Sequence, residues 1–152
     1  MKVLVTNRRA RFDYDLGDKL VAGIVLDGHE VKSLKSGRAS LNGSFIVLKQ
    51  GEAFLMGSHI NPYALANNKT DIDPTRQRKL LLHKHQLNEL MAAKDSGRSL
   101  VPTAFVLAGP FIKLEMAVGS GRKRYDKRAL LKEREDSRDA ARAIVHRSRL
   151  RN

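Results

Sequence analysis

Cysteine is absent from the sequence, which excludes disulfides, thiol catalysis and cysteine-ligated zinc. Aromatic side chains are scarce, with five phenylalanines, three tyrosines and no tryptophan, so an open platform on which single-stranded bases stack is disfavoured. No apolar run approaches the roughly 20 residues that span a bilayer. The opening Met1–Arg8 offers only Val3-Leu4-Val5 as an apolar stretch, far short of the ~7–15 residues of a signal-peptide core. A cytoplasmic location is therefore expected. Also missing are a phosphate-cradling glycine loop, a Gly-x-Ser-x-Gly elbow and a closely spaced carboxylate pair in an apolar run. No enzyme activity and no cofactor are expected. Negative charge is in short supply: 16 acidic residues face 29 basic ones, leaving a net charge of +13. Such a field favours a polyanionic partner, and nucleic acid is the leading candidate.

The chain's 152 residues, 41% of them apolar, suffice for one core but hardly two. Charge is unevenly spread, because residues 119–152 carry 12 Lys/Arg against 5 Asp/Glu, and residues 1–118 carry 17 against 11. After Tyr125 the only sizeable apolar residues are Leu130, Leu131, Ile144, Val145 and Leu150, too few to offset the entropy of ordering the segment. The expected division is a β-barrel RNA-binding domain at 1–121 and a basic tail at 122–152 that is disordered when free. Leu130 to Arg147 lacks Gly and Pro and is rich in Ala, Arg, Glu and Lys, so it should become helical once phosphate neutralises its charges.

Ahead of the tail, short β-type runs alternate with turn signals. Leu20–Leu26 is expected as a strand. Asp27 then offers an N-cap with Glu30 three residues on, and Gly37 suits the far end of a short helix. Ser44–Gln50 and Ala53–His59 form a hairpin around Gly51-Glu52. Leu87, Leu90 and Met91 have helical spacing over Lys84–Lys94, stopped by Gly97. Ser99–Leu107 and Phe111–Val118 form another hairpin, with Ile112, Leu114, Met116 and Val118 on one face. Asn61–Arg78 lacks periodicity and is expected as a long surface loop. The fold class is mainly β, with five or six antiparallel strands, short helices and a closed barrel of the oligonucleotide-binding type that removes exposed edges.

Four basic clusters carry the functional signal: Asn7-Arg8-Arg9-Ala10-Arg11, Lys32 with Lys35 and Arg38, Arg76-Gln77-Arg78-Lys79, and Arg122-Lys123-Arg124. Each can pair with phosphates. Tyr14 and Tyr63 serve equally well as stacking rings or as core-edge residues. Glu30 has a sufficient role as the capping partner of Asp27, and its charge alone repels phosphate. His83 and His85 lack a third ligand at metal-site spacing, and Lys84 between them opposes a cation. On residue chemistry alone two rivals stay open. One is a general RNA-binding ribosomal or ribosome-assembly protein, and the other an RNA-processing enzyme using His83 or His85.

Several stretches, in order along nearly the whole chain, resemble the SmpB (SsrA-binding protein) family. They are Asn7 to Tyr14, Ala22 to Leu34, Gly37 to Leu41, His59 to Tyr63, Arg78 to Lys84, Leu100 to Pro102 and Tyr125 to Arg128. The resemblance implies an oligonucleotide-binding-type barrel that holds the tRNA-like domain of tmRNA and enters the A site of stalled ribosomes. It implies a monomer whose partners are tmRNA, the ribosome (mainly small-subunit RNA) and elongation factor Tu on the same RNA, with no membrane and no metal. Matched by motif, the RNA-binding residues are Asn7, Arg8, Arg11, Tyr14, Glu30, Lys32, Ser33, Arg38, Arg78, Lys79, Lys84, Arg122 and Lys123. The tail residues Tyr125, Asp126, Lys127, Arg128, Ile144 and Val145 would serve the decoding centre and the empty messenger channel. Three positions depart from the usual pattern: Phe12 replaces a histidine, Ser120 removes a cation, and Tyr125 replaces a frequent histidine with a ring that stacks but does not titrate near neutrality.

Overall fold

The computed structural model describes residues 1–63, 72–121 and 124–150, with side chains described at 128, 130–142 in the last stretch. In chain order the elements are β1 (Lys2–Thr6), α1 (Ala10–Asp13), β2 (Tyr14–Ile24), α2 (Gly28–Lys35), β3 (Ala39–Ser40), β4 (Phe45–Lys49), β5 (Glu52–Met56) and β6 (His59–Ile60). They continue with β7 (Arg78–Leu81), α3 (Lys84–Asp95), β8 (Ser99–Ala108), β9 (Phe111–Gly121) and α4 (Arg124–Leu150). The chain divides into two compact units, Met1–Gly121 and Arg122–Asn152.

In the first unit a seven-stranded sheet runs β1-β8-β9-β2-β7-β5-β4, and a two-stranded sheet pairs β3 with β6. All the pairings are antiparallel. The large sheet curls until β4 approaches β8, while β3 lies against β1. No ladder joins β4 to β1, so the expected barrel is a curled sheet that hydrogen bonds do not close. Its interior holds Leu34 from α2, Leu90 from α3, and Ala22, Ile46, Leu55, Leu80, Phe105, Leu114 and Met116 from the strands.

Two bulges bend the long strands. In β8, Pro102 pairs with Met116 and Ala104 with Glu115, leaving Thr103 as the extra residue. In β2 the ladder shifts between Leu16 and Lys19. The burial of β9 changes phase at the same place: Ile112, Leu114 and Met116 are buried, then Ala117 and Gly119, with Val118 only half-buried. The expected single face therefore ends at Met116. Gly119 answers a close approach, since a Cβ there would lie 3.0 Å from the Asp15 carbonyl oxygen.

α2 begins where Asp27 N–H donates to Glu30 Oε1 at 2.9 Å, and Gly37 follows it with φ +73°. α3 spans the expected residues and is followed by Gly97 at φ +87°. The β4–β5 turn falls one residue earlier than Gly51-Glu52: Gln50 (φ 51°) and Gly51 (φ 74°) are its centre, and Lys49 pairs with Glu52. Two consecutive positive φ values match the twist of the flanking strands.

Nine strands are present among the described residues, against five or six expected. β7 begins at Arg78, the last residue of the expected 61–78 loop, of which residues 64–71 lie outside the described residues. β1 and the polar first half of β2 were missed because their pairing with β8 and β9 is tertiary and leaves no apolar alternation. In the second unit α4 is one helix of 27 residues, roughly 40 Å long, covering the stretch expected to become helical. Its side chains at 131–142 are all exposed, and Asp139 lies 3.9 Å from Arg142.

Replacing the fully buried Leu34 with Ala is expected to cost about 2–5 kcal/mol in urea unfolding. Gln50→Asn should stabilise the hairpin by up to about 1 kcal/mol, because Asn tolerates the left-handed conformation that Gln occupies at a cost. A destabilised Gln50→Asn variant would contradict this account of the turn.

Candidate nucleic-acid interface

α2 and β7 meet through a knot of charge that the sequence does not advertise. β7 alternates, so Arg78 and Leu80 point inward while Lys79 and Leu81 point outward. Arg78 is 0% exposed and Glu30 1% exposed. Arg78 Nε donates to Glu30 Oε2 at 2.6 Å, and its Nη2 lies 2.5 Å from the same oxygen. Arg78 Nη1 donates to Ser58 O and Oγ and to Arg76 O, and Nη2 to Pro74 O. Every nitrogen of the guanidinium is engaged. Glu30 Oε1 accepts from the Asp27 N–H and from Arg76 Nη2. Arg76 Nε lies 3.4 Å from Asp27 Oδ2, an ion-pair distance without the alignment of a hydrogen bond.

Burial pushes the Glu30 carboxyl up, but the Asp27 N–H and the Arg76 and Arg78 guanidiniums outweigh it and hold it below 4.5. Burial also lowers the Arg78 pKa, with Glu30 opposing it. Two expected RNA contacts, Glu30 and Arg78, are thus internal struts with no surface to offer. Ser33 joins them: its hydroxyl is fully buried and donates to Asn61 O at 2.6 Å.

Asn7 is likewise internal, at 7% exposure. The β8 bulge turns two carbonyls toward it, so that Pro102 O accepts from Asn7 Nδ2 at 2.8 Å and Thr103 O from Asn7 N at 2.7 Å. Thr103 is held in turn by its hydroxyl, which donates to Glu115 O at 3.0 Å. Asn7 thereby anchors the turn that exposes Arg8. Arg8 stands between two grooves, one of about 590 Å³ shared with Gly37, Ser40 and Asn42, the other of about 420 Å³ shared with Arg11, Lys19 and Glu115.

The exposed members of the expected set are Arg8, Arg11, Lys32, Arg38, Lys79 and Lys84, while Tyr14 is half-buried. Lys32 sits on α2, with its Nζ 5.4 Å from the centre of the Tyr63 ring. Arg38 follows α2, and its carbonyl accepts from Asn61 N at 3.0 Å. Lys79 pairs with Glu52 at 3.2 Å, and Leu81 beside it is 54% exposed. His83 precedes α3, and its ring stacks on that of His85 at 5.7 Å, inclined by 7°. Among the described residues no three His, Cys, Asp or Glu side chains gather to hold a metal. Arg122 and Lys123 lie outside the described residues, and the side chains of Tyr125, Asp126, Lys127, Ile144 and Val145 are not described; Arg128 is exposed on α4.

Arg76 was read only as one cation of a basic cluster, and its ion pairs with Asp27 and Glu30 leave no mark in the sequence. The inward turn of Arg78 was legible, since in a strand the neighbours Arg78 and Lys79 must face opposite ways, so one of the pair must turn inward. Exposure of Leu81 follows from the same alternation.

Glu30→Gln is expected to destabilise the fold by about 3–5 kcal/mol at neutral pH, because it leaves two guanidiniums facing a neutral amide. The Glu30 pKa is depressed in the folded state, so its contribution is complete above 4.5 and is lost as pH falls through the lower folded value. Urea unfolding at a series of pH values should show the gap between wild type and variant constant above 4.5 and closing below it. A gap that persists unchanged in acid would refute the assignment.

The model of the SmpB protein family matches residues 4–146. An SsrA-binding protein from Pseudomonas putida is 44% identical over 142 residues, covering 93% of this chain and 89% of its own. One from Geobacillus thermodenitrificans is 41% identical over 150 residues, covering 98% and 96%. A solved structure described as "tmRNA-SmpB: a journey to the center of the bacterial ribosome" superposes with a TM-score of 0.67 at 39% identity, covering 82% of this chain and 87% of that one. With relatives this similar matching nearly end to end, the chain belongs to the SmpB protein family.

Proposed function

We infer that this protein binds tmRNA and serves trans-translation as a non-catalytic adaptor, delivering that RNA to stalled ribosomes. One observation carries the reading: six cations, Arg8, Arg11, Lys32, Arg38, Lys79 and Lys84, stand exposed on a body whose own charged interior is already neutralised. The relatives' name and the tmRNA–SmpB–ribosome description of the solved neighbour support the same partners. In this proposal the exposed cations meet the phosphates of the tRNA-like domain, with Tyr14 at the edge of the contact. Asn7, Glu30, Ser33 and Arg78 act indirectly, by fixing the elements that bear the cations.

The basic segment from Arg122 takes a separate step. Its long helix carries little apolar surface, so its stability is assigned to a phosphate-lined groove, the messenger channel of the ribosome. Arg122 and Lys123 would meet RNA, Tyr125 would stack, Asp126, Lys127 and Arg128 would follow it at the decoding centre, and Ile144 and Val145 would serve the far part of the helix. Elongation factor Tu would share the same RNA. No described helix is long and apolar enough to cross a membrane, and a cytoplasmic site of action follows from the ribosomal partner.

Binding of tmRNA should weaken steeply with salt, by about 0.9 in log K per log salt for each duplex phosphate neutralised, so each exposed cation removed flattens the slope by about one. Filter binding of Lys84→Gln and Arg38→Gln at several salt concentrations checks this. A salt-independent affinity would overturn the electrostatic account. Truncation after Gly121 should leave tmRNA affinity largely intact and abolish tagging of stalled chains in a reconstituted translation system. Parallel loss of both would show that the two units do not divide the work.

A further inference from the structure

Tyr63 is the aromatic residue best placed to act on an exposed cation of the proposed interface. Lys32 Nζ lies 5.4 Å from the centre of its ring, within the distance at which an ammonium is attracted to the ring's negative face. The chain leading to Tyr63 is fastened on two sides. Ile60 is 1% exposed and its N–H donates to Pro74 O at 2.9 Å. Asn61 is bound twice to the α2 region, its carbonyl accepting from the buried Ser33 hydroxyl at 2.6 Å and its N–H donating to Arg38 O at 3.0 Å. Pro62 then restricts the backbone that delivers the ring.

Lys32 needs such a partner. It is exposed, shares the last turn of α2 with Lys35, and has four rotatable side-chain bonds. Both lysines are favoured by the carbonyl end of the helix, yet like charges three residues apart repel. A free lysine head would sample many positions and lose that freedom on contact, a cost of up to about 2 kcal/mol in rotamer entropy. Holding the ammonium on a fixed ring removes part of that loss before binding and leaves its N–H donors for an anion.

We propose that Tyr63 is a positioning residue that pre-orders Lys32 for one phosphodiester of the bound RNA, acting through the lysine and not through contact with the RNA itself. The proposal rests on the RNA-binding role inferred above. Buried Ser33 gains a purpose in it: its hydroxyl fixes Asn61, Asn61 fixes the approach of Tyr63, and Tyr63 fixes Lys32.

The test is a double-mutant cycle on the full chain, with tmRNA as the probe. Tyr63→Leu should weaken binding about 2- to 5-fold, the factor an exposed cation–π contact represents, while the salt slope is kept because the charge remains. Tyr63→Phe should bind as wild type. Lys32→Met should lower the slope by about one phosphate's share, and in that background Tyr63→Leu should have no further effect. Equal losses from Tyr63→Leu with and without Lys32 would mean that the ring touches RNA itself, and overturn the proposal. So would a Tyr63→Leu variant that binds normally. An independent readout needs no RNA: the Lys32 side-chain methylene protons next to Nζ should show an upfield ring-current shift in wild type and Tyr63→Phe, absent in Tyr63→Leu. Absence of that shift in wild type sinks the positioning role alone. Failure of the wild-type protein to bind tmRNA, with the shift present, instead sinks the inferred RNA-binding function on which the positioning role depends.

Discussion

The buried carboxylate of Glu30 is the point on which the arrangement of the first unit turns. It belongs to the first turn of α2, yet its oxygens are shared between that helix's own N-terminal N–H and two guanidiniums arriving from the chain just before β7 and from β7 itself. A helix of eight residues has little stability of its own. Locked to the sheet by a charged knot, it becomes a rigid mount for Lys32 and, just beyond its end, Arg38. Excess charge is compensated inside and displayed outside, which is why a protein so rich in cations still closes a core.

How far this architecture was legible in the sequence depends on where each signal resides. Local signals read well: the Asp27–Glu30 start of α2, the glycine after α3 and the turn of the β8–β9 hairpin are each set by residues close together in sequence and rest on backbone sterics. Signals created by pairing did not. β7 is four residues long, two of them charged, and looks like loop until its partners β2 and β5 are in place. The turn centre at Gln50 went unread because a non-glycine residue at positive φ is unusual enough to be passed over.

The candidate interface divides in the same way. Family motifs marked the right neighbourhood, but motif and charge together cannot separate a residue that meets a ligand from one that holds its neighbour in place. Glu30, Ser33, Arg78 and Asn7 carry signatures as strong as those of Lys32 or Arg8, and all four are buried and engaged in internal hydrogen bonds, Asn7 through its side-chain nitrogen while its buried Oδ1 has no partner among the described residues. Burial, which charge and motif alone do not give for a polar residue, makes the distinction. At Arg78 the strand period offered the needed clue; at Asn7 the deciding feature, the bulge at Thr103, lies 96 residues away in the chain.

Because the large sheet stays open between β1 and β4, the molecule keeps two rims of main-chain donors and acceptors that ladder bonds within the sheet leave unused. Such rims invite copy-on-copy growth into extended stacks. Here one rim begins with the exposed Lys2 and is kinked by the irregularity between Val3 and Val5, and the other ends with the exposed Lys49. An antiparallel approach of the β1 rim of one copy to the β4 rim of another would bring Lys2 against Lys49, on molecules that each carry a charge of +13. The cationic surplus that draws the protein toward its partner therefore also serves as colloidal protection, keeping single copies dispersed in the crowded interval before a polyanion is met.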